Sequence, residues 1–119
     1  MNISAPAVAT VDPAELARLM RAGRAWVVDV REPNEYVAER IPGALLFPLS
    51  SFDAAALPSD GERTLVFHCA GGKRSMDAAQ RRLANGAARA THLGGGIAAW
   101  KAAGLPVISA GEQVGSWPI

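Results

Sequence analysis

Apolar positions along the chain follow two periods, one typical of α-helices and one typical of short buried strands. Asp12 and Pro13 can open a first helix as its N-cap and its first helical residue. Apolar residues then recur at helical spacing until Gly23, where the helix is expected to stop. The runs at 25–30 and 64–68 are short, apolar and rich in β-branched residues, which predicts strands buried on both faces.

The rest of the chain continues this alternation. The further predicted helices are 33–38, a short one within 50–56, 75–85, and a segment that carries Ile97 and Trp100. The further predicted strands are 44–47 and 90–93, with 3–8 as an additional edge strand. Strands that alternate with helices are typical of an α/β domain with a mainly parallel sheet. The apolar neighbours of Trp26 and Trp100 predict that both indoles belong to the core.

Composition narrows the classes of protein that fit this pattern. The 119 residues are 50% hydrophobic and 19% charged, which excludes global disorder. We find no long linker, so 1–108 is predicted to be one domain and 109–119 a C-terminal tail without clear periodicity. A net charge of +1 gives no electrostatic case for binding nucleic acid. No apolar run approaches the roughly 20 residues that span a bilayer, so no membrane partner is expected.

Cysteine usage and the N-terminal residues bear on the compartment. Cys69 is the one cysteine, so an internal disulfide is excluded. Residues 1–6 have neither a basic segment nor a long apolar segment, and we therefore expect no secretory signal and a cytoplasmic location. The sequence does not indicate an oligomeric state.

The segment that follows the strand at 64–68 carries the residues best suited to chemistry. Ligands of parallel sheets bind beyond the carboxyl ends of the strands. There Gly71 and Gly72 allow a tight turn with inward amides, and a helix N-terminus follows. Lys73 and Arg74 add positive charge. The predicted anion cradle consists of Ala70, Gly71, Gly72, Lys73, Arg74 and Ser75.

Such surroundings commonly lower the pKa of a thiol, so Cys69 is a candidate nucleophile. The alternative is a small buried cysteine at a strand end, followed by an ordinary glycine turn. The glycines and cations around Cys69 favour the reactive thiol.

Charged residues near this loop are candidates for supporting roles. Asp29 ends its strand at the edge where Cys69 is expected, and it either pairs with Arg74 or another loop cation or caps the following turn. Arg31 and Glu35 are interpreted as ion-pair partners near the mouth of the site rather than as substrate contacts.

Three further polar residues are interpreted structurally. Ser75 is predicted to cap its helix. His68 should diverge from Cys69, since neighbouring strand residues point to opposite faces. His92 has no cluster of metal ligands near it in the sequence, so no metal site is expected.

The glycines at 94–96 lack the spacing of a nucleotide-binding loop and are predicted to form a tight turn packed against the Cys69 loop.

Three blocks of the sequence resemble the single-domain form of the rhodanese (thiosulfate sulfurtransferase) family, and the likeness runs from about Pro13 to Val107. They occur in order and at the family's spacing. The blocks are Val27-Val28-Asp29-Val30-Arg31-Glu32-Pro33-Asn34-Glu35-Tyr36 with Ile41-Pro42-Gly43-Ala44, Cys69 to Ser75, and Leu93-Gly94-Gly95-Gly96-Ile97-Ala98-Ala99-Trp100 with Gly104-Leu105-Pro106-Val107. The resemblance implies a three-layer α/β domain with a mainly parallel central sheet of about five strands flanked by helices.

The resemblance also implies an activity. Cys69 would take sulfur from a small anionic donor such as thiosulfate, form a persulfide, and pass the sulfur to cyanide, a thiol or a protein acceptor. No metal or organic cofactor is implied. Arg74 would organise the loop, and Lys73 would assist with the anionic donor or departing sulfite.

Two other functions are considered beside sulfur transfer, and two positions of the sequence differ from the residues that are common in the family. A rhodanese-like module could use Cys69 for redox sensing or partner binding. A phosphatase or arsenate reductase is disfavoured, because four residues separate Cys69 from Arg74 whereas related phosphatases place one more there. Many relatives carry arginine where this chain has Ala70, and Gly-His where it has Glu39-Arg40. These departures bear on donor preference and the rim of the site.

Overall fold

A computed structural model describes residues 7–110. Within these residues, five parallel strands form a central sheet. The strands are β1 (Ala7–Val11), β2 (Ala25–Asp29), β4 (Leu45–Leu46), β5 (Thr64–His68) and β6 (Arg89–Leu93), and their order across the sheet is β1-β6-β5-β2-β4. Two short strands, β3 (Glu39–Arg40) and β7 (Ile108–Ser109), pair antiparallel beside it.

Helices cover both faces of the sheet. They are α1 (Pro13–Arg21), α2 (Pro33–Ala38), α3 (Lys73–Ala84) and α4 (Gly96–Ala102), with 3₁₀ turns at Leu49–Ser51 and Ala54–Ala56. One core cluster joins Leu16 of α1 and Trp100 of α4 to Val27 and Val66 of the sheet. A second joins Ala78 of α3 to Phe67 on the opposite face. The predicted three-layer α/β architecture is therefore confirmed.

Local sequence rules account for the elements that were predicted correctly. The Asp12 carboxylate accepts a hydrogen bond from the Glu15 amide at 2.8 Å and caps α1, as expected. Helix α2 and strand β5 have the predicted bounds. Gly43 has a φ of +83°, and the Ala44 amide donates to the Ile41 carbonyl, consistent with the turn that Pro42-Gly43 predicts.

Several predicted bounds were wrong. Helix α3 begins at Lys73 rather than at 75, because Gly72 is its N-cap. The edge strand is 7–11 rather than 3–8, and the predicted residues 3–6 lie outside the described part of the chain. The predicted short helix within 50–56 is a pair of 3₁₀ turns. Strand β7 spans the predicted boundary between 1–108 and 109–119, and residues 111–119 are not described.

The prediction for Trp26 was also wrong, whereas Trp100 is buried as expected. Trp26 is 43% exposed, and the Arg63 guanidinium lies 4.4 Å from the centre of its ring. The reason is the short neighbouring strand. Strand β4 pairs only with Val28 and Asp29, so it does not extend as far as Trp26 along β2.

Candidate active site

The thiol of Cys69 lies just beyond the end of β5. This strand is flanked by β2 and β6, so Cys69 emerges at the middle of the carboxyl edge of the sheet. The residue is 1% exposed and packs in the core cluster beneath α3. Residues 70–72 form the loop above it, in which Gly71 is exposed and Gly72 is half-buried.

The Cys69 sulfur accepts hydrogen bonds from the main chain that folds over it. The amide of Gly72 donates to Sγ at 3.1 Å, and the amide of Ser75 donates at 3.3 Å. The Ser75 hydroxyl lies 3.6 Å from Sγ. Burial by itself raises the pKa of the Cys69 thiol, but the hydrogen bonds from Ser75 and from Gly72 outweigh it, and the pKa lies below its usual value.

Gly72 gives the loop its curvature. Its φ of +109° lies in a region that side chains disfavour, and it allows the chain to turn from the loop into α3 with the amides facing the sulfur. The prediction that Ser75 caps α3 was wrong. Ser75 lies within the first turn, and its hydroxyl donates to the Gly72 carbonyl at 3.2 Å.

The turn at Gly94–Gly96 supports the loop from the other side, which confirms the packing predicted for it. The Ile97 amide donates to the Cys69 carbonyl at 2.9 Å, and the Ala98 amide donates to the Ala70 carbonyl at 3.2 Å. A Cβ on Gly96 would lie 2.6 Å from the carbonyl carbon of Ala70. Only glycine therefore lets the two backbones approach this closely.

The two cations of the loop have different surroundings. Arg74 forms a bidentate pair with Glu35 of α2, with N–O distances of 2.7 and 3.0 Å. This hydrogen-bonded pair lowers the pKa of Glu35 to about 2. Lys73 is exposed and forms no ion pair with any residue in the 7–110 range. Arg74 therefore links the loop to α2, and Lys73 is the loop cation that faces solvent.

Asp29 does not pair with Arg74, which corrects one of the two roles considered for it. It is fully buried and binds Arg31, whose Nη2 donates to Oδ2 at 2.8 Å and whose amide donates to Oδ1 at 2.9 Å. Arg31 rather than Arg74 pairs with Asp29, because Arg31 is only two residues away and one turn of the chain buries both side chains. The hydrogen bond from the Arg31 amide fits the other role considered for Asp29, a cap of the turn after β2.

The Asp29–Arg31 pair extends into a buried network. Arg31 Nη2 also donates to the Glu39 carbonyl at 2.6 Å, and His68 Nε2 lies 3.4 Å from Asp29 Oδ2. Burial favours the neutral carboxyl, but His68 and Arg31 outweigh it and hold the pKa of Asp29 well below its usual range. His68 thus contacts Asp29, and its side chain diverges from the Cys69 thiol as predicted.

His92 is part of the site and was not predicted to be. Its Nδ1 lies 2.8 Å from the Ser75 hydroxyl, and the imidazole is 5% exposed at the end of β6. His92 is the register partner of Phe67, two residues before Cys69. The sequence does contain a hint, since His92 and Cys69 both lie near the carboxyl end of a predicted strand, but the adjacency of β5 and β6 is needed to bring the two together.

In the range 7–110, no group of three or more His, Cys, Asp or Glu side chains is placed to hold a metal ion. The helices described are too short and too polar to cross a bilayer.

Comparison with known proteins identifies the family. The model of the rhodanese-like domain family matches residues 12–103, so the chain belongs to that family, as its sequence blocks indicated. It is 35% identical over 105 residues to the thiosulfate:glutathione sulfurtransferase of Homo sapiens, covering 76% of this chain and 91% of the human protein. A rhodanese-related protein of Thermoplasma volcanium has the same fold, with a TM-score of 0.72, 28% identity, and coverage of 84% of this chain and 97% of the other.

Other relatives are longer than this chain. An uncharacterized protein of Synechocystis is 39% identical over 99 residues, which cover 83% of this chain but 55% of that protein. The chain covers 42% of a transcriptional regulator of Mycobacterium tuberculosis to which it is 38% identical. The domain thus occurs within larger proteins as well as nearly alone. Its family is one of sulfurtransferase-type transferases.

Proposed function

We propose that the protein moves sulfane sulfur from a small anionic donor such as thiosulfate to a thiophilic acceptor, through a persulfide on Cys69. The observation that carries the proposal is the pair of amides, from Gly72 and Ser75, that donate to the Cys69 sulfur. They stabilise a negative charge on this atom without a metal or a second nucleophile. A thiolate is the reactive form of cysteine, so the loop prepares the residue for attack.

In the first step, the Cys69 thiolate attacks the outer sulfur of thiosulfate. A bond forms between the two sulfur atoms, and the sulfur–sulfur bond of thiosulfate breaks with its electron pair leaving on sulfite. The negative charge of the cysteine moves to the terminal sulfur of the persulfide. The nearby amides of Gly72 and Ser75 suit this charge, because fixed donors stabilise a developing charge without reorganising.

In the second step, a thiolate or cyanide attacks the terminal sulfur. A new bond to that sulfur forms, the persulfide bond breaks, and its electron pair returns to Cys69 as the thiolate. The cycle leaves the enzyme unchanged and needs no external oxidant or reductant. It suits a reducing, cytoplasmic compartment, in which thiol acceptors are abundant.

The charges around the loop bear on the donor. The Arg74 guanidinium already donates hydrogen bonds to the Glu35 carboxylate, and Ala70 supplies no charge. Lys73, which is exposed at the first position of α3, is therefore proposed to orient the anionic donor and stabilise departing sulfite. The four-residue spacing between Cys69 and Arg74 disfavours the phosphatase alternative.

The decisive experiment is an intact-mass measurement after incubation with thiosulfate, followed by addition of cyanide. We expect an adduct of one sulfur atom that cyanide discharges as thiocyanate. The Cys69→Ser protein should form no adduct, and Lys73→Gln should form it more slowly. Turnover of an aryl phosphate in place of the adduct would support the phosphatase alternative, and peroxide-dependent oxidation without sulfur transfer would support redox sensing.

A further inference from the structure

A buried histidine and a buried serine connect β6 to the Cys69 sulfur. The Ser75 hydroxyl lies 2.8 Å from His92 Nδ1 and 3.6 Å from Cys69 Sγ. Ser75 is fully buried and His92 is 5% exposed. The sulfur-transfer steps proposed above do not use His92, yet its ring nitrogen is directed at a group that contacts the nucleophile.

The hydroxyl of Ser75 has one hydrogen and three neighbours that can accept it. These are the Cys69 sulfur, the Gly72 carbonyl at 3.2 Å, and His92 Nδ1 when that nitrogen carries no proton. If the imidazole proton is on Nε2, Ser75 donates to His92 and turns a lone pair towards the sulfur. That arrangement fits a neutral thiol, which can donate its own hydrogen to Ser75.

The other tautomer reverses the direction of the chain. With its proton on Nδ1, His92 donates to the Ser75 oxygen, and the serine hydrogen is released towards the sulfur. That arrangement fits an anion at Cys69, whether thiolate or terminal persulfide. In this tautomer the hydrogen bond from His92 stabilises the anion, because it leaves the serine hydrogen to the Cys69 sulfur.

We propose that His92 is a positioning residue that sets the direction of the Ser75 hydroxyl, and through it favours the anionic form of Cys69. This inference rests on the proposed function only in that both need an anion at Cys69. As the cysteine ionises, its proton passes to the Ser75 oxygen, the serine proton passes to His92 Nδ1, and the Nε2 proton leaves to solvent. One proton is lost in total, and the imidazole changes its tautomer but remains neutral. Burial is consistent with a neutral ring, since it lowers the pKa of His92.

Among the described contacts of His92, the polar partner is Ser75. Phe67 of β5 and Thr10 of β1 are its register partners and carry no charge. On α3, the charged neighbours of Ser75 are engaged elsewhere, Arg74 by Glu35 and Asp77 by Arg81. Lys73 is exposed, and His68 contacts Asp29 on the other side of β5.

The test is a double-mutant cycle on the ionisation of Cys69, followed by the ultraviolet absorbance of its thiolate. Because Cys69 is the one cysteine, the signal belongs to it alone. We expect His92→Phe and Ser75→Ala each to reduce the acid dissociation constant of the thiol by roughly 3- to 10-fold. The double variant should show no more than the larger single effect, because the two residues act in series.

Thr91→Val is the matched control. Thr91 precedes His92 on β6, is 4% exposed, and points to the opposite face of the strand. It should leave the titration unchanged. Effects of His92→Phe and Ser75→Ala that add fully, or an unchanged titration in His92→Phe beside a shifted one in Ser75→Ala, would overturn the proposal.

A second measurement keeps the proposal testable if His92→Phe fails to fold. NMR of the imidazole nitrogens in the wild-type protein should show the His92 proton moving from Nε2 to Nδ1 as Cys69 ionises. A tautomer that stays the same throughout would contradict the proposal. Neither measurement needs a sulfur donor, so failure of sulfur transfer and failure of this inference give separate results.

Discussion

Asp29 ends β2 and Cys69 follows the end of β5, the neighbouring strand, and both are buried acids at the same edge of the sheet. Asp29 is neutralised by a side chain, the Arg31 guanidinium at 2.8 Å. Cys69 is stabilised by main-chain amides instead. The two groups differ in how a negative charge on them is compensated. The carboxylate has its charge paired in a closed network, whereas the sulfur accepts hydrogen bonds from amides and is hydrogen-bonded to no side-chain cation among the described residues.

This comparison separates two uses of a buried negative charge. A guanidinium compensates the charge fully, and the pair then contributes to structure while it stays inert. Amides provide partial charges that are fixed in space, and they stabilise a negative charge without pairing it with a counter-ion. Substitutions on the Asp29 side should therefore affect folding, and substitutions on the Cys69 side should affect reactivity.

The largest effect is expected from Asp29→Ala. It leaves Arg31, which is 4% exposed, with a buried charge and no carboxylate, and we expect the free energy of unfolding to fall by about 3–5 kcal/mol. Urea denaturation measures the change. Glu15→Ala removes an exposed carboxylate that also pairs with an arginine, and it should leave the midpoint nearly unchanged. Equal losses in the two variants would contradict the comparison.

The next effect is expected from Gly96→Ala. The added Cβ would meet the Cys69 carbonyl oxygen and lie 2.6 Å from the carbonyl carbon of Ala70, so the loop must shift. We expect a loss of about 1–3 kcal/mol in stability and a slower alkylation of Cys69. Gly104→Ala is the control, since its φ of +77° carries similar backbone strain but nothing lies within 4 Å of the new Cβ. Normal alkylation in Gly96→Ala would show that the turn does not position the loop.

A smaller loss of stability is expected from Gly72→Ala, and the neighbouring Gly71→Ala is its control. Gly72→Ala places a side chain at φ +109°, which costs about 1–2 kcal/mol and displaces an amide from the sulfur. The pKa of the Cys69 thiol should rise towards its ordinary value, as measured by the pH dependence of alkylation. Gly71→Ala meets nothing within 4 Å and has no positive φ, so it should behave as the wild type. A shift of the same size in both variants would mean that the Gly72 amide is not specifically responsible.

The smallest effect concerns the half-exposed Arg74–Glu35 pair. Solvent screening limits its contribution to at most about 1 kcal/mol. The hydrogen bonds with Arg74 lower the pKa of Glu35 from 4.5 to about 2, so this contribution is present above the unfolded value and is lost as the pH falls from 4.5 towards 2. The stability difference between the wild type and Glu35→Gln should therefore disappear in acid. A difference that is undiminished at about pH 2 would argue against a charge effect.

The features that follow from local patterns could be predicted from the sequence. The apolar run of β5 and the Asp12 cap need only neighbouring residues, and they were located correctly. The loop at 69–75 could be recognised because glycines and cations follow a strand directly. The structure brings Gly72 and Ser75 of this loop to Sγ, leaves Lys73 exposed and pairs Arg74 with Glu35, while the roles of these residues in catalysis stay predictions.

The features that were missed depend on contacts between distant segments. The ladder of β3 with β7 joins Glu39 to Ser109, and strands of two residues leave no periodic pattern. The Ser75–His92 contact depends on β6 lying beside β5, which the order of elements along the chain does not specify. Trp26 was misplaced for a similar reason, because its exposure depends on the length of β4.

The carbonyls of Cys69 and Ala70 are both held by amides of α4, at 2.9 and 3.2 Å. The shape of this segment is thus maintained by peptide groups alone, and the methyl group at position 70 takes no part in it. A different residue could replace Ala70 while the peptide scaffold stays in place. An exchange at this position would therefore alter the rim of the loop, while the Cys69 sulfur keeps its hydrogen bonds from main-chain amides.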